Sequence, residues 1–160
     1  MLSIQVSDIK DFMSHLLSKD TFDHFYFIEA SIKMGVSYQI QGRINEGFYD
    51  TSVEQTLNRE FCYWKEIRHR IFDIIKGKRL PLSCKIVLGL SKQSIFYLIA
   101  HNNSSFREED IEGIYVNILY DPKNLLITTG ISYKNFSLDK SLEYAFDEYL
   151  AKFLKEKAVI

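Results

Sequence analysis

The feature that most constrains this chain is an order of elements that occurs twice: a short strand, an amphipathic helix and a β-hairpin, first over about 2–44 and again over about 85–133. Each copy leaves one apolar helix stripe and one half-wet strand pair that must be buried against something. At 160 residues the chain fits one core, so both hairpins are expected in one mainly antiparallel sheet. The fold class expected is α+β, a single domain over 1–160 with a sheet of about five or six strands.

In the first copy Ser7 is placed to cap a helix whose apolar stripe is Ile9, Phe12, Met13, Leu16 and Leu17. The run from Asp23 to Lys33 is aromatic and β-branched, with Phe25 and Phe27 expected opposite Tyr26, Ile28 and Ile32. Met34-Gly35 suits a tight turn, after which Val36, Tyr38 and Ile40 alternate with Ser37, Gln39 and Gln41. In the second copy Ile86, Leu88 and Leu90 mark a strand, Ser91 a cap, and Ile95, Leu98 and Ile99 a buried helix stripe. Ile114, Val116, Ile118 and Tyr120 then alternate with Tyr115, Asn117 and Leu119, and Asp121-Pro122-Lys123-Asn124 supplies a turn into Leu125–Ser132.

Between the copies Ser52-Val53-Glu54-Gln55 reads as a capping box. It opens an inserted helix expected over about 52–76, with Val53, Leu57, Phe61, Trp64, Ile67, Ile71 and Ile74 on one side and an end near Gly77. A C-terminal helix over about 139–156 is expected to be capped by Asp139 and to bury Leu142, Phe146, Tyr149, Leu150 and Phe153.

The doubled strand, Ser-capped helix and long hairpin resemble, in topology, a single domain of DNA sliding clamps. That resemblance implies a sheet backed by helices that could face a duplex. The segment 45–80 departs from it, since a clamp domain usually has a further strand there. At the level of residues, Ile75-Lys76-Gly77-Lys78-Arg79 with Pro81-Leu82-Ser83, and Leu138-Asp139-Lys140-Ser141-Leu142-Glu143, are similar to an uncharacterised family of small bacterial proteins of unknown function. The resemblance implies a bacterial cytoplasmic protein and brings no activity or functional residue with it.

The functional signal is concentrated in the middle of the chain. From Lys65 to Arg79 six basic residues, Lys65, Arg68, Arg70, Lys76, Lys78 and Arg79, stand against Glu66 and Asp73, with His69 as a further group that can charge. Lys65, Arg68, His69, Phe72 and Lys76 fall on one helical side, so cations would surround an aromatic ring. A nucleic acid is the partner this pattern suits, because such a face could neutralise several phosphates; the formal net charge of −1 leaves no attraction of the whole molecule to phosphate, so binding must come from this local patch. The plainer reading is a solvated helix side paired with carboxylates such as Asp110 and Glu112.

A protein partner is the alternative, through Tyr38, Phe48, Tyr49, Tyr97, Phe106, Tyr115, Tyr133 and Phe136, more aromatics than the helix stripes need. A homo-oligomer stays open. An enzyme comes third: His15, His24, His69 and His101 are scattered, no nucleophile, phosphate-loop or metal-protease motif occurs, and no catalytic residue, metal or cofactor is expected. The acidic run Glu108 to Glu112 lacks the ligand spacing of a calcium loop. Cys62 and Cys84 are expected as buried, reduced packing residues. No apolar run approaches the roughly 18 residues of a membrane span, and Met1-Leu2-Ser3-Ile4 lacks the layout of a signal peptide. A cytoplasmic location is therefore expected.

Overall fold

The structure is a computed structural model and describes residues 1–49 and 58–160. The capping box Ser52–Gln55, with Val53 and Leu57, lies outside the described residues. The fold is α+β: a six-stranded antiparallel sheet in the order β1-β6-β5-β4-β2-β3 with four helices among the described residues. The strands are β1 (Ser3–Gln5), β2 (Tyr26–Lys33), β3 (Ser37–Gln41), β4 (Ser83–Gly89), β5 (Ile111–Tyr120) and β6 (Leu125–Tyr133). The helices are α1 (Ile9–Leu17), α2 (Trp64–Ile75), α3 (Lys92–His101) and α4 (Ser141–Glu156).

Strand alternation sets the register. Ile4, Ile127, Ile118, Ile86, Ala30 and Ile40 pair in succession across all six strands, one apolar residue from each, and form the row beneath the helices. The neighbouring row on the other face reads Ser3, Thr128, Asn117, Val87, Glu29 and Gln41. A one-residue slip in any strand would exchange the two rows, so burial of one face fixes every pairing at once.

The element order repeats as expected, but the pairing does not. β4 lies beside β5 of its own copy, whereas β1 sits at the far edge on β6 and β2 pairs with β4. Helix α1 therefore carries the chain past β6, β5 and β4 before β2 begins. β1 has only three residues and is tied in from the side: the Leu2 N–H donates to Thr129 Oγ1 at 2.8 Å, and that hydroxyl donates to Asp147 Oδ1 of α4 at 2.6 Å. Under α1 and α4, Phe12, Phe22, Phe25 and Phe153 meet at ring separations of 5.6 to 5.9 Å, each such pair contributing about 0.5–1.5 kcal/mol beyond its buried area.

Local expectations are corrected at five points. The N-cap of α4 is Lys140, whose side chain makes no cap bond, and Asp139, one position further out, accepts the Ser141 N–H at 2.9 Å. The cap of α1 is Asp8, whose side chain accepts from the Asp11 N–H, and not Ser7. In β2 a bulge between Phe27 and Glu29 turns Phe27 to the same side as Ala30 and Ile32, so strict alternation fails there. The inserted helix begins at Trp64: Arg43 and Phe61 form an isolated bridge, as do Tyr26 and Tyr63, so Phe61 is not on a helical stripe. Cys62 is half-buried, while Cys84 is buried as expected.

The bulge and the late helix start have one cause. Beyond Ile28 the β2–β3 hairpin splits, and 60–64 wedges into the gap: Phe27 N–H donates to the Cys62 carbonyl at 2.8 Å and Cys62 N–H to the Gly42 carbonyl at 2.9 Å. Gly42 is buried at the branch point, where an added Cβ would overlap the Phe27 carbonyl oxygen. Gly42→Ala is therefore expected to cost about 2–4 kcal/mol through forced backbone displacement, seen as a lower midpoint in urea unfolding, whereas Gly47→Ala, with nothing near its Cβ position, changes stability little.

Candidate functional site

Helix α2 follows directly from the wedge, and its first turn is fixed by charge. Arg59 Nη2 donates to Glu66 Oε1 at 2.8 Å, and Glu66 Oε2 accepts the Tyr63 N–H at 2.6 Å. The hydrogen-bonded Arg59 guanidinium holds the Glu66 carboxyl below the usual carboxylate range. Arg59 also stacks over the Tyr63 ring at 4.6 Å, and Arg43, paired with Glu60, lies over Phe61 at 5.1 Å. These arginines border a cleft of about 540 Å³ lined by Arg43, Glu46, Tyr49, Arg59 and Glu60. Their charges are spent on neighbouring carboxylates.

The next turn joins α2 to the end of α1. Trp64, fully buried, donates its indole Nε1–H to the Leu16 carbonyl at 2.8 Å. One turn on, Arg68 grips Asp23 with Nε at 2.8 Å and Nη2 at 3.0 Å, while Nη1 donates to the Leu17 carbonyl at 3.2 Å. Those carbonyls lie in the last turn of α1, where no helical N–H remains to pair them. Arg68 is 8% exposed and serves the interior of the molecule.

The other expected site residues are exposed. Lys65 stands 5.7 Å from the Tyr63 ring, and His69 and Arg70 face solvent. Lys76 pairs with Asp73 at 3.0 Å and lies 6.0 Å from the Phe72 ring. Gly77, at φ +148°, turns the chain out of the helix in a conformation that favours glycine, and Lys78 and Arg79 follow it at the surface. Among the described residues Arg70, Lys78 and Arg79 have no ion-pair partner within 4.0 Å, and neither Asp110 nor Glu112 reaches this helix.

Beside this cationic end runs a groove of about 530 Å³ between α1 and the chain after α2. Its apolar lining is Met13, Leu17, Phe72, Ile75 and Pro81 with the exposed Leu80 at its edge, and Lys10 and Lys76 also border it. No spacing in the chain points to this groove, because Leu80 and Pro81 join it only once Gly77 has reversed the chain.

The histidines occupy separate surroundings. His15 Nδ1 is 2.9 Å from Thr21 Oγ1 and its Nε2 is 3.8 Å from Asp11, a hydroxyl–imidazole–carboxylate order. Thr21 is buried, however, which leaves a reacting carbonyl no approach to its oxygen. His24 packs on Phe25 and Phe153, and burial followed by the Lys157 charge lowers its pKa. His101 stacks on Tyr97 at 4.8 Å. Among the described residues no group of three or more His, Cys, Asp or Glu side chains could hold a metal ion. Of the aromatics, Tyr38, Phe48, Tyr97 and Phe136 are exposed, while Tyr49, Phe106, Tyr115 and Tyr133 are half-buried. No described helix is long and apolar enough to cross a membrane.

A two-layer α+β domain with its helices on one face and a lysine-bordered groove between two of them is the class that this geometry defines. The chain belongs to a family of unknown function, DUF5721, whose model matches residues 15–160. No curated protein and no solved structure matches it.

Arg68→Ala leaves the half-buried Asp23 without its partner and the Leu17 carbonyl without its donor, and is expected to cost about 2–4 kcal/mol in denaturant unfolding. Arg68→Lys, which cannot reproduce the bidentate fork, should recover only part of that loss. The thiols give a second measurement: burial pushes Cys62 up to about 11 and Cys84 up to about 12. Both are then protonated at mildly alkaline pH, so a disulfide reagent should modify Cys62 roughly 100-fold and Cys84 roughly 1000-fold more slowly in the native protein than in the unfolded chain.

Proposed function

We propose that this domain is a non-enzymatic binding module that contacts the phosphate backbone of a nucleic acid through the exposed cations of α2 and of the chain just after it. The observation that carries the reading is the division of labour along that helix. Arg68 is consumed inside the fold, while Arg70, Lys78 and Arg79 remain exposed without carboxylate partners among the described residues. Lys65 extends the positive field along the same element, His69 and the Asp73-paired Lys76 are exposed beside it, and Lys10 adds a charge across the groove. With a net charge of −1 the attraction is local, so binding should be moderate and strongly dependent on salt. The clamp-like part of the reading draws on the repeated β-α-β-β order and on the helices sharing one face. A bacterial cytoplasmic setting, with Cys62 and Cys84 reduced, goes with it.

A second reading is favoured by the groove itself. An apolar lining bordered by two lysines suits an acidic amphipathic protein segment, whose apolar side would fill the groove while its carboxylates meet Lys10 and Lys76.

Fluorescence anisotropy with labelled single- and double-stranded oligonucleotides tests the first reading. With about four phosphates neutralised, log affinity should fall with log salt at a slope near −3 to −4. Arg70→Glu with Lys78→Glu and Arg79→Glu should abolish binding while the unfolding midpoint holds. Absence of binding at low salt defeats the nucleic-acid reading. Binding of an acidic helical peptide, weakened by Leu80→Asp but little changed by the charge reversals at Lys78 and Arg79, would establish the second reading instead.

A further inference from the structure

We infer that the free edge of β3 is a homodimerisation surface, on which a second copy of this chain adds its own β3 in antiparallel register to join two six-stranded sheets into one. β3 is the last strand of the sheet, and among the described residues nothing pairs with the outer side of Ser37–Gln41. The opposite edge, β1, offers only three residues.

The hydrogen-bond alternation shows what the edge presents. Gly42 N–H donates inward to the Ile28 carbonyl at 2.8 Å, and Met34 N–H reaches the Val36 carbonyl at 3.1 Å. With the β2–β3 register running Lys33 to Ser37 and Glu29 to Gln41, the even-numbered residues of β3 bond to β2. Ser37, Gln39 and Gln41 therefore turn both N–H and C=O away from the sheet. An antiparallel copy centred on Gln39 would pair Gln39 with its twin and Ser37 with Gln41 twice, satisfying all of these groups at once.

Side chains agree with the same register. Gln39 would meet Gln39 across the dyad, two amides that can each donate and accept. Tyr38, 38% exposed, would lie opposite the partner's Ile40 on the helix-covered side, and the two would cover each other. On the open face Lys33 and Ser37 of one copy would share a cross-strand row with Gln41 and Glu29 of the other, so opposite charges end each row and no like charges are brought together. Edge strands that must stay single generally carry a lysine, a proline or a bulge. Ser37–Gln41 has none of these.

Sedimentation velocity of the full chain over a wide concentration range is the test, with three variants alongside the wild type. Gln39→Pro removes an outward N–H that β2 does not use, and Gln39→Lys sets two cations face to face across the dyad. Each should weaken dimerisation at least tenfold while circular dichroism and the unfolding midpoint stay as in the wild type. Ser3→Lys, on the β1 edge, should leave the dimer intact. A wild type that remains monomeric at the highest concentration, a dimer indifferent to both Gln39 variants, or one broken by Ser3→Lys instead would overturn the inference.

Discussion

The junction of Trp64 and Arg68 with the last turn of α1 is the constraint from which the arrangement of the helical layer follows. Two donors on one face of α2, a turn apart, take up the Leu16 and Leu17 carbonyls, and the same arginine neutralises Asp23 just beyond them. A helix end inside a core is costly unless its carbonyls find partners. Meeting that need with side chains from α2 fixes the distance and rotation between the helices. It also delivers the chain at Asp23 into the aromatic cluster and the start of β2. The apolar groove exists because of this junction: α1 and α2 touch at this end, and the chain leaving α2 walls off the space beside them.

The sheet answers to a different constraint. Its row of five isoleucines and one alanine needs all six strands in register, yet the two copies reach their places by unlike routes, one crossing three strands and the other returning to a neighbour. The longer route leaves β2 and β3 at the far side, where the hairpin can split and admit 60–64. A glycine at the branch and a bulge in β2 are the local adjustments that keep backbone hydrogen bonds satisfied there.

How far this was legible follows from the range of the interactions concerned. Hairpin turns at Met34-Gly35 and Asp121–Asn124, and the stripes of α1, α3 and α4, depend on spacing within a few residues and were readable. The wedge was not, because Phe61 and Tyr63 satisfy a helical stripe and a strand edge equally well until their partners at Arg43 and Tyr26 are known. For Arg68 a signal was present. It lies four residues after Trp64 and three before Ile71, both fully buried, so helical geometry places it on the interior face despite its charge. Its partner Asp23, 45 residues away, is what the spacing could not supply.

Charge on the helical layer and bare backbone at the β3 edge become related once the symmetry of strand pairing is considered. The dyad of an antiparallel pair within a continuous sheet stands perpendicular to that sheet, so two copies joined at β3 would carry their helices on the same side. Helix α2 packs on β2, the strand next to β3, which would set one basic end on each flank of the dyad. Two modest patches facing one way can hold a single extended polyanion far more tightly than either alone, since the second contact is made at the effective concentration set by the first. A lone domain, with Arg70 midway along α2 and Lys78 and Arg79 just past its end, would bind weakly. A dimer of this geometry turns the same residues into a bipartite surface without adding any new contact to the monomer.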